Sequence, residues 1–137
     1  MRSVWAVIAG LVVIVVLSTA TDLALHATGV YPPIGQPMSG GRFLLALGYR
    51  FVFGVAGCAL AARLAPSRPM RHALILGGVG VLLSTAGAIA TWGRGPEFGP
   101  PWYPLALIAI TMPSAWLGGV LGGRRGAAGM DARPGPA

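Results

Sequence analysis

Ser18, Asp22 and His26 follow one another at intervals of four residues in the stretch LSTATDLALHATGVYPP, residues 17–33. A hydroxyl, a carboxylate and an imidazole are the residue types of a hydrolase triad. On a helix, however, this spacing strings them along one face, one turn apart. No nucleophile elbow of the GxSxG kind accompanies Ser18, so the row argues against acyl-transfer chemistry and no catalytic residues are assigned. The two histidines, His26 and His72, fall near opposite ends of apolar segments and cannot jointly hold a metal or haem. Cys58 is the single cysteine, which excludes an intramolecular disulfide and any CxxC metal or redox site. The stretch GRGPEFGPP is glycine-rich but has neither the lysine nor the helix context of a phosphate loop. The expectation is a protein without enzymatic activity, metal or cofactor.

Asp22 still needs an explanation, because the chain has only three acidic residues and places one inside a long apolar run. A second apolar run carries Arg50, next to Tyr49. Counted from the ends of their segments at Gly29 and Arg42, Asp22 and Arg50 lie at matching depths, roughly 10–12 Å in at 1.5 Å per residue. Antiparallel helices joined by the intervening loop bring them level. A lone charge at the centre of a bilayer costs at least about 2.5–3.5 kcal/mol, and pairing removes much of that cost. The expectation is an intramembrane polar cluster of Asp22, Arg50 and, nearer the surface, His26. It either fixes the register of two helices or serves a proton or ligand path.

The elements that must position this cluster follow from composition. Of 137 residues 55% are hydrophobic and only 9% charged, against roughly 25% charged in soluble domains. Four segments reach the roughly 17–25 apolar residues a bilayer span requires: 4–28, 43–64, 72–92 and 102–123. The fold class expected is an all-α, integral membrane bundle of four transmembrane helices. Residues 1–123 form that domain, and the Gly/Pro-rich residues 124–137 are expected to be a disordered cytoplasmic tail. The alternative at the N-terminus is a signal peptide cleaved after Ala20. The apolar character running on to Ala27 favours an uncleaved span.

The net charge of +7 is distributed as a topology signal, which argues against a nucleic-acid partner. Arg2, Arg63, Arg68, Arg71, Arg124, Arg125 and Arg133 fall on one side of four alternating helices, while only Arg42 and Arg94 fall on the other. This asymmetry places both termini in the cytoplasm, N-in and C-in. The chain contains no lysine and is rich in Ala and Gly, a composition that points to a GC-rich bacterial genome. Tyr31, Trp92, Trp102 and Tyr103 read as an interfacial aromatic belt. Arg94, Glu97, Phe98 and Trp102 gather charge and aromatic surface in an outer loop, the expected place for partner contacts. Small residues recur every four positions at Gly57/Ala61, Gly80/Ser84/Ala88 and Ala115/Gly119/Gly123, fitting either internal packing or a dimer face. The short 65–71 turn predicts that helices 2 and 3 pair as a hairpin. The tetrapeptide LSTA occurs at 17–20 and 83–86, each copy followed by a Tyr-Pro step, which hints at a parallel repeat.

The segments ARLAPSRPMRHALILG, ATWGRGPEFGPPWYP and AWLGGVLGGR resemble a family of small bacterial four-span membrane proteins of no assigned activity. The resemblance implies a multi-pass protein of the bacterial inner (plasma) membrane and brings no substrate or site with it. Length and span number also match small multidrug-resistance transporters, whose essential carboxylate is a glutamate in mid-helix 1. Here the carboxylate is Asp22, late in the helix. The expected function is that of an accessory or structural subunit in a membrane assembly. Its partners would be the lipid bilayer and a larger membrane protein or further copies of itself. The alternative is a small oligomeric proton-linked transporter or channel using Asp22 and Arg50. The arginine asymmetry makes one direct prediction. Reporter fusions after Arg68 and Arg125 should read as cytoplasmic, and fusions at Gln36 and Glu97 as external. A mature N-terminus at Thr21 would overturn that topology.

Overall fold

A computed structural model describes residues 1–131. It is all-helical. Helix α1 spans Arg2–Ala27, α2 Gly40–Leu64, α3 Pro69–Thr91 and α4 Trp102–Asp131, with a single 3₁₀ turn at Pro96–Phe98 before α4. All four helices are long and apolar enough to cross a membrane, at roughly 35–45 Å and 1.5 Å per residue. The α1–α2 and α3–α4 loops lie at one end of the bundle, called here the upper end. The α2–α3 turn and the start of α1 lie at the lower end.

The boundaries have local causes. Gly29, at φ +78°, turns the chain out of α1 in a left-handed conformation that costs glycine little. The Tyr31 N–H then reaches back to the Leu25 carbonyl at 3.0 Å. At the lower end Arg68 is the one non-glycine residue with positive φ among the described residues, at +48°. Pro69 follows it at the start of α3, where a missing N–H costs nothing. Buried His72 stabilises that turn through Nδ1, which donates to the Arg68 carbonyl at 3.1 Å.

One expectation is corrected. Residues 124–131 continue α4, although the sequence reads as disordered from 124. No proline interrupts them, and a helix already started adds one hydrogen bond for each residue it fixes. Positions 132–137 of the expected tail lie outside the described residues. The expected α2–α3 hairpin forms, but α2 packs more extensively on α4 and α1, and α3 on α4.

Small residues explain that order. Gly54 faces Ser114, Cys58 faces Gly118 and Ala62 faces Gly122, so α2 and α4 run parallel in backbone-level contact. A Cβ on Gly118 would sit 2.6 Å from the Val55 carbonyl oxygen. On the other side of α4, Ala115 and Gly119 meet Gly77 and Ala73 of α3. On α1, Gly10 approaches Gly57 and Ala61. The stripes at Gly57/Ala61 and Ala115/Gly119 therefore serve internal packing. Their value is geometric, since lipid supplies no hydrophobic drive between helices. Around them a core of Cys58, Ala61, Ala62, Ala73, Leu76 and Ala115 is buried. Pro113 lies inside α4, and the Thr111 hydroxyl donates to the Leu107 carbonyl at 2.7 Å, so it does not serve the Ala109 carbonyl that the proline leaves without a donor.

Replacing Gly118 with alanine should therefore destabilise the bundle by about 1–3 kcal/mol through overpacking. Gly48→Ala, where the added methyl meets open space, should be neutral or stabilising by up to about 1 kcal/mol from helix propensity. Thermal unfolding in detergent checks the pair, and equal stability of the two variants would contradict the close approach.

Candidate functional site

Along α1 the residues Gly10, Ile14, Ser18, Asp22 and His26 form a single i, i+4 ridge. Its lower part meets the backbone of α2 at Gly57. Its upper part meets polar side chains. The Arg50 Nη2 donates to Asp22 Oδ2 at 2.6 Å. The Tyr49 hydroxyl donates to the other carboxylate oxygen, Oδ1. Both oxygens of Asp22 are thus engaged by neighbouring residues of α2. Each charged side chain remains about one-third exposed, 34% for Arg50 and 30% for Asp22.

A tyrosine relay extends the cluster to the upper loop. The Tyr31 hydroxyl donates to the Tyr49 oxygen at 3.2 Å and lies 3.3 Å from the Arg42 carbonyl. Tyr31 is only 4% exposed, so it belongs to this network rather than to an aromatic belt. Its ring meets that of His26 edge-on, with centroids 5.4 Å apart. His26 Nδ1 lies 2.7 Å from the Pro32 carbonyl; a carbonyl only accepts, so Nδ1 carries the proton. His26 thus anchors the loop, one turn above the ion pair. Tyr103 reaches the same place from α4 and packs its ring, tilted, against that of Phe43 of α2, with centroids 4.8 Å apart. The belt reading fits Trp92 and Trp102, which are exposed, and is corrected for Tyr31 and Tyr103.

Two cavities meet at Arg50. The upper one, about 230 Å³, is lined by Asp22, His26, Tyr31, Tyr49, Arg50 and Tyr103. The lower one, about 190 Å³, lies between the helices and is lined by residues of all four, including Ser18, Arg50, Cys58, Ser84 and Thr111. Ser18 and Ser84, one from each LSTA tetrapeptide, thus border the same space. Arg50 Nε is buried and has no hydrogen-bond partner. This leaves an unused donor on a fixed cation, an expensive condition in a low-dielectric setting.

The expected outer-loop residues separate. Phe98 and Trp102 line a groove of about 660 Å³ at the upper end, walled by Trp92 and by Pro96, Pro100 and Pro101. Arg94 is exposed and does not line it. The Glu97 side chain lies outside the described residues. Among the described residues no group of three or more His, Cys, Asp or Glu could hold a metal ion. The arrangement can hold α1 on α2, bind an acceptor oxygen at Arg50, or pass a proton between Asp22 and Tyr49.

Sequence reasoning missed Tyr31, Tyr49 and Tyr103. The available signal was the Tyr-Pro step repeated in the two upper loops, together with the adjacency of Tyr49 to Arg50. Comparison with family models, curated proteins and solved structures gives no match.

The geometry predicts strong coupling between the charged pair. Asp22→Asn and Arg50→Leu should each lower stability in detergent by about 1–3 kcal/mol, and the double variant should recover about 1 kcal/mol or more of the summed loss. Simple additivity in that cycle would show that the pair contributes no interaction energy.

Proposed function

We propose that the protein is a non-enzymatic, multi-pass component of a bacterial inner membrane, with both termini in the cytoplasm. In this reading it is an accessory or structural subunit that packs against a larger membrane protein. The observation that carries the reading is that both oxygens of Asp22 are taken up by Arg50 and Tyr49. The carboxylate closest to the middle of the chain's apolar segments is thereby committed to joining two helices. The arginine asymmetry supports the orientation. The groove bordered by Phe98 and Trp102 supports a partner site, because aromatic side chains with proline-rigid walls offer contact area at low entropic cost.

A second reading, a small oligomeric proton-linked transporter or channel, is favoured by one observation. Arg50 lines both cavities, so the ion pair sits where a path joining them would pass. Ionisable groups inside membranes often mark such paths. Under the first reading, purification in mild detergent retains one membrane protein in fixed stoichiometry. Phe98→Ala with Trp102→Ala should release it, weakening association by about tenfold or more. A chain that purifies alone, and whose proton flux in proteoliposomes is abolished by Asp22→Asn, would establish the second reading instead.

A further inference from the structure

The lower end of the bundle carries exposed arginines at Arg2, Arg63, Arg68, Arg71 and Arg124. Among the described residues the one ion pair is that of Asp22 with Arg50, so none of these five has a carboxylate partner. Three of them converge where α3 meets α4. A Cβ on Gly123 would lie 3.6 Å from Pro69 Cγ. Arg124, next after Gly123, and Arg68, next before Pro69, are therefore neighbours across the helix pair. Arg71 follows in the first turn of α3.

The packing of both helices turns this edge outward. On α3, Ala73 and Gly77 face α4 and Leu76 faces α1, whereas Arg71 shares its side of the helix with exposed Leu74 and Ile75. On α4, Gly119 and Gly122 face α3 and α2, whereas Arg124 shares its side with exposed Leu121. Arg68 is held beside them at a φ of +48°, where glycine would be less strained. Its carbonyl is fixed by Nδ1 of buried His72. A strained backbone that keeps an arginine in place of glycine points to a use for the side chain.

Three neighbouring guanidiniums without counter-charge repel one another, and an oxyanion accepting their hydrogen bonds relieves that repulsion. One turn further into the bundle the same edge is aliphatic. Its complement is a molecule with an oxyanion at one end and acyl chains at the other. Inorganic phosphate lacks the chains, and a zwitterionic lipid would bring a second cation among the arginines.

We propose that the lower end of the α3–α4 edge binds an anionic phospholipid, its phosphodiester held by Arg68, Arg71 and Arg124. Its acyl chains lie along Leu74, Ile75 and Leu121. The site rests on the membrane setting proposed above and is independent of any protein partner.

The test is native mass spectrometry of the full chain in mild detergent, with equal amounts of phosphatidylglycerol and phosphatidylcholine bearing identical acyl chains. Phosphatidylglycerol should be retained about tenfold more. Arg71→Gln and Arg124→Gln should each lower that preference about fivefold, as for the loss of one basic contact to an anionic lipid. Arg68→Gly should lower it similarly while melting no earlier than the native chain, because glycine relieves the turn. Arg94→Gln, an exposed arginine at the upper end, should leave the preference unchanged. Added inorganic phosphate should not displace the bound lipid. Equal retention of the two lipids, an undiminished preference in the folded Arg68→Gly variant, or displacement by inorganic phosphate would each overturn the site. All three outcomes would leave the multi-pass reading standing, since that reading depends on the spans and not on lipid class.

Discussion

The setting of α1 depends on one salt bridge. This helix is apolar around its whole circumference, and only Ala6 and Gly10 are buried. A helix with no distinct apolar stripe gains nothing from turning one face rather than another toward its neighbours. Its rotation must come from specific contacts, and beside the edge packing of Val7, Leu11 and Ile14 two bring α1 against α2. Gly10 admits the backbone of α2 near the lower end, and Asp22 meets Arg50 and Tyr49 near the upper end. Together they select the ridge running from Gly10 to His26. The upper loop, the tyrosine relay and both cavities around Arg50 inherit their shape from that choice.

The rest of the bundle rests on backbone proximity. The parallel α2–α4 pair approaches through Gly54, Gly118 and Gly122, and α3 closes on α4 through Gly77 and Gly119. Contacts at this distance are selective by exclusion, because any side chain larger than hydrogen would force the helices apart. Dispersion between close-packed backbones replaces the burial of large side chains. Among the described residues Leu76 is accordingly the only large side chain that is fully buried.

Much of this was legible in the sequence, for a simple reason. Apolar length fixes helix number, and counting residues from a helix end is a one-dimensional measurement. The matching depths of Asp22 and Arg50 could therefore be read without knowing how the helices cross. The tyrosines could not, because Tyr31 enters the network only after the chain reverses at Gly29, and Tyr103 only because α4 lies against α2. The partner of each helix was also hidden. A short turn between α2 and α3 implies adjacency, but the glycines of α4 at 118 and 122 allow a closer fit to α2 than the hairpin provides. A reader of the sequence sees small residues every fourth position and cannot tell which neighbour each one faces.

The distribution of buried residues has a consequence for how the chain is made. The core of Cys58, Ala61, Ala62, Ala73, Leu76 and Ala115 comes entirely from α2, α3 and α4. From α1 it receives only partly buried Val7, Leu11 and Ile14 at its edge. The last three helices thus constitute a cooperative unit of their own, with α1 the least consolidated part of the molecule. Since chains emerge from their N-terminus, α1 is made before the others; α2, its main neighbour, follows directly, but the core that consolidates α2 is complete only when α3 and α4 have been made. Birth order and consolidation order run in opposite directions, although the Asp22 carboxylate waits only for α2, the next helix made, to bring the arginine that neutralises it.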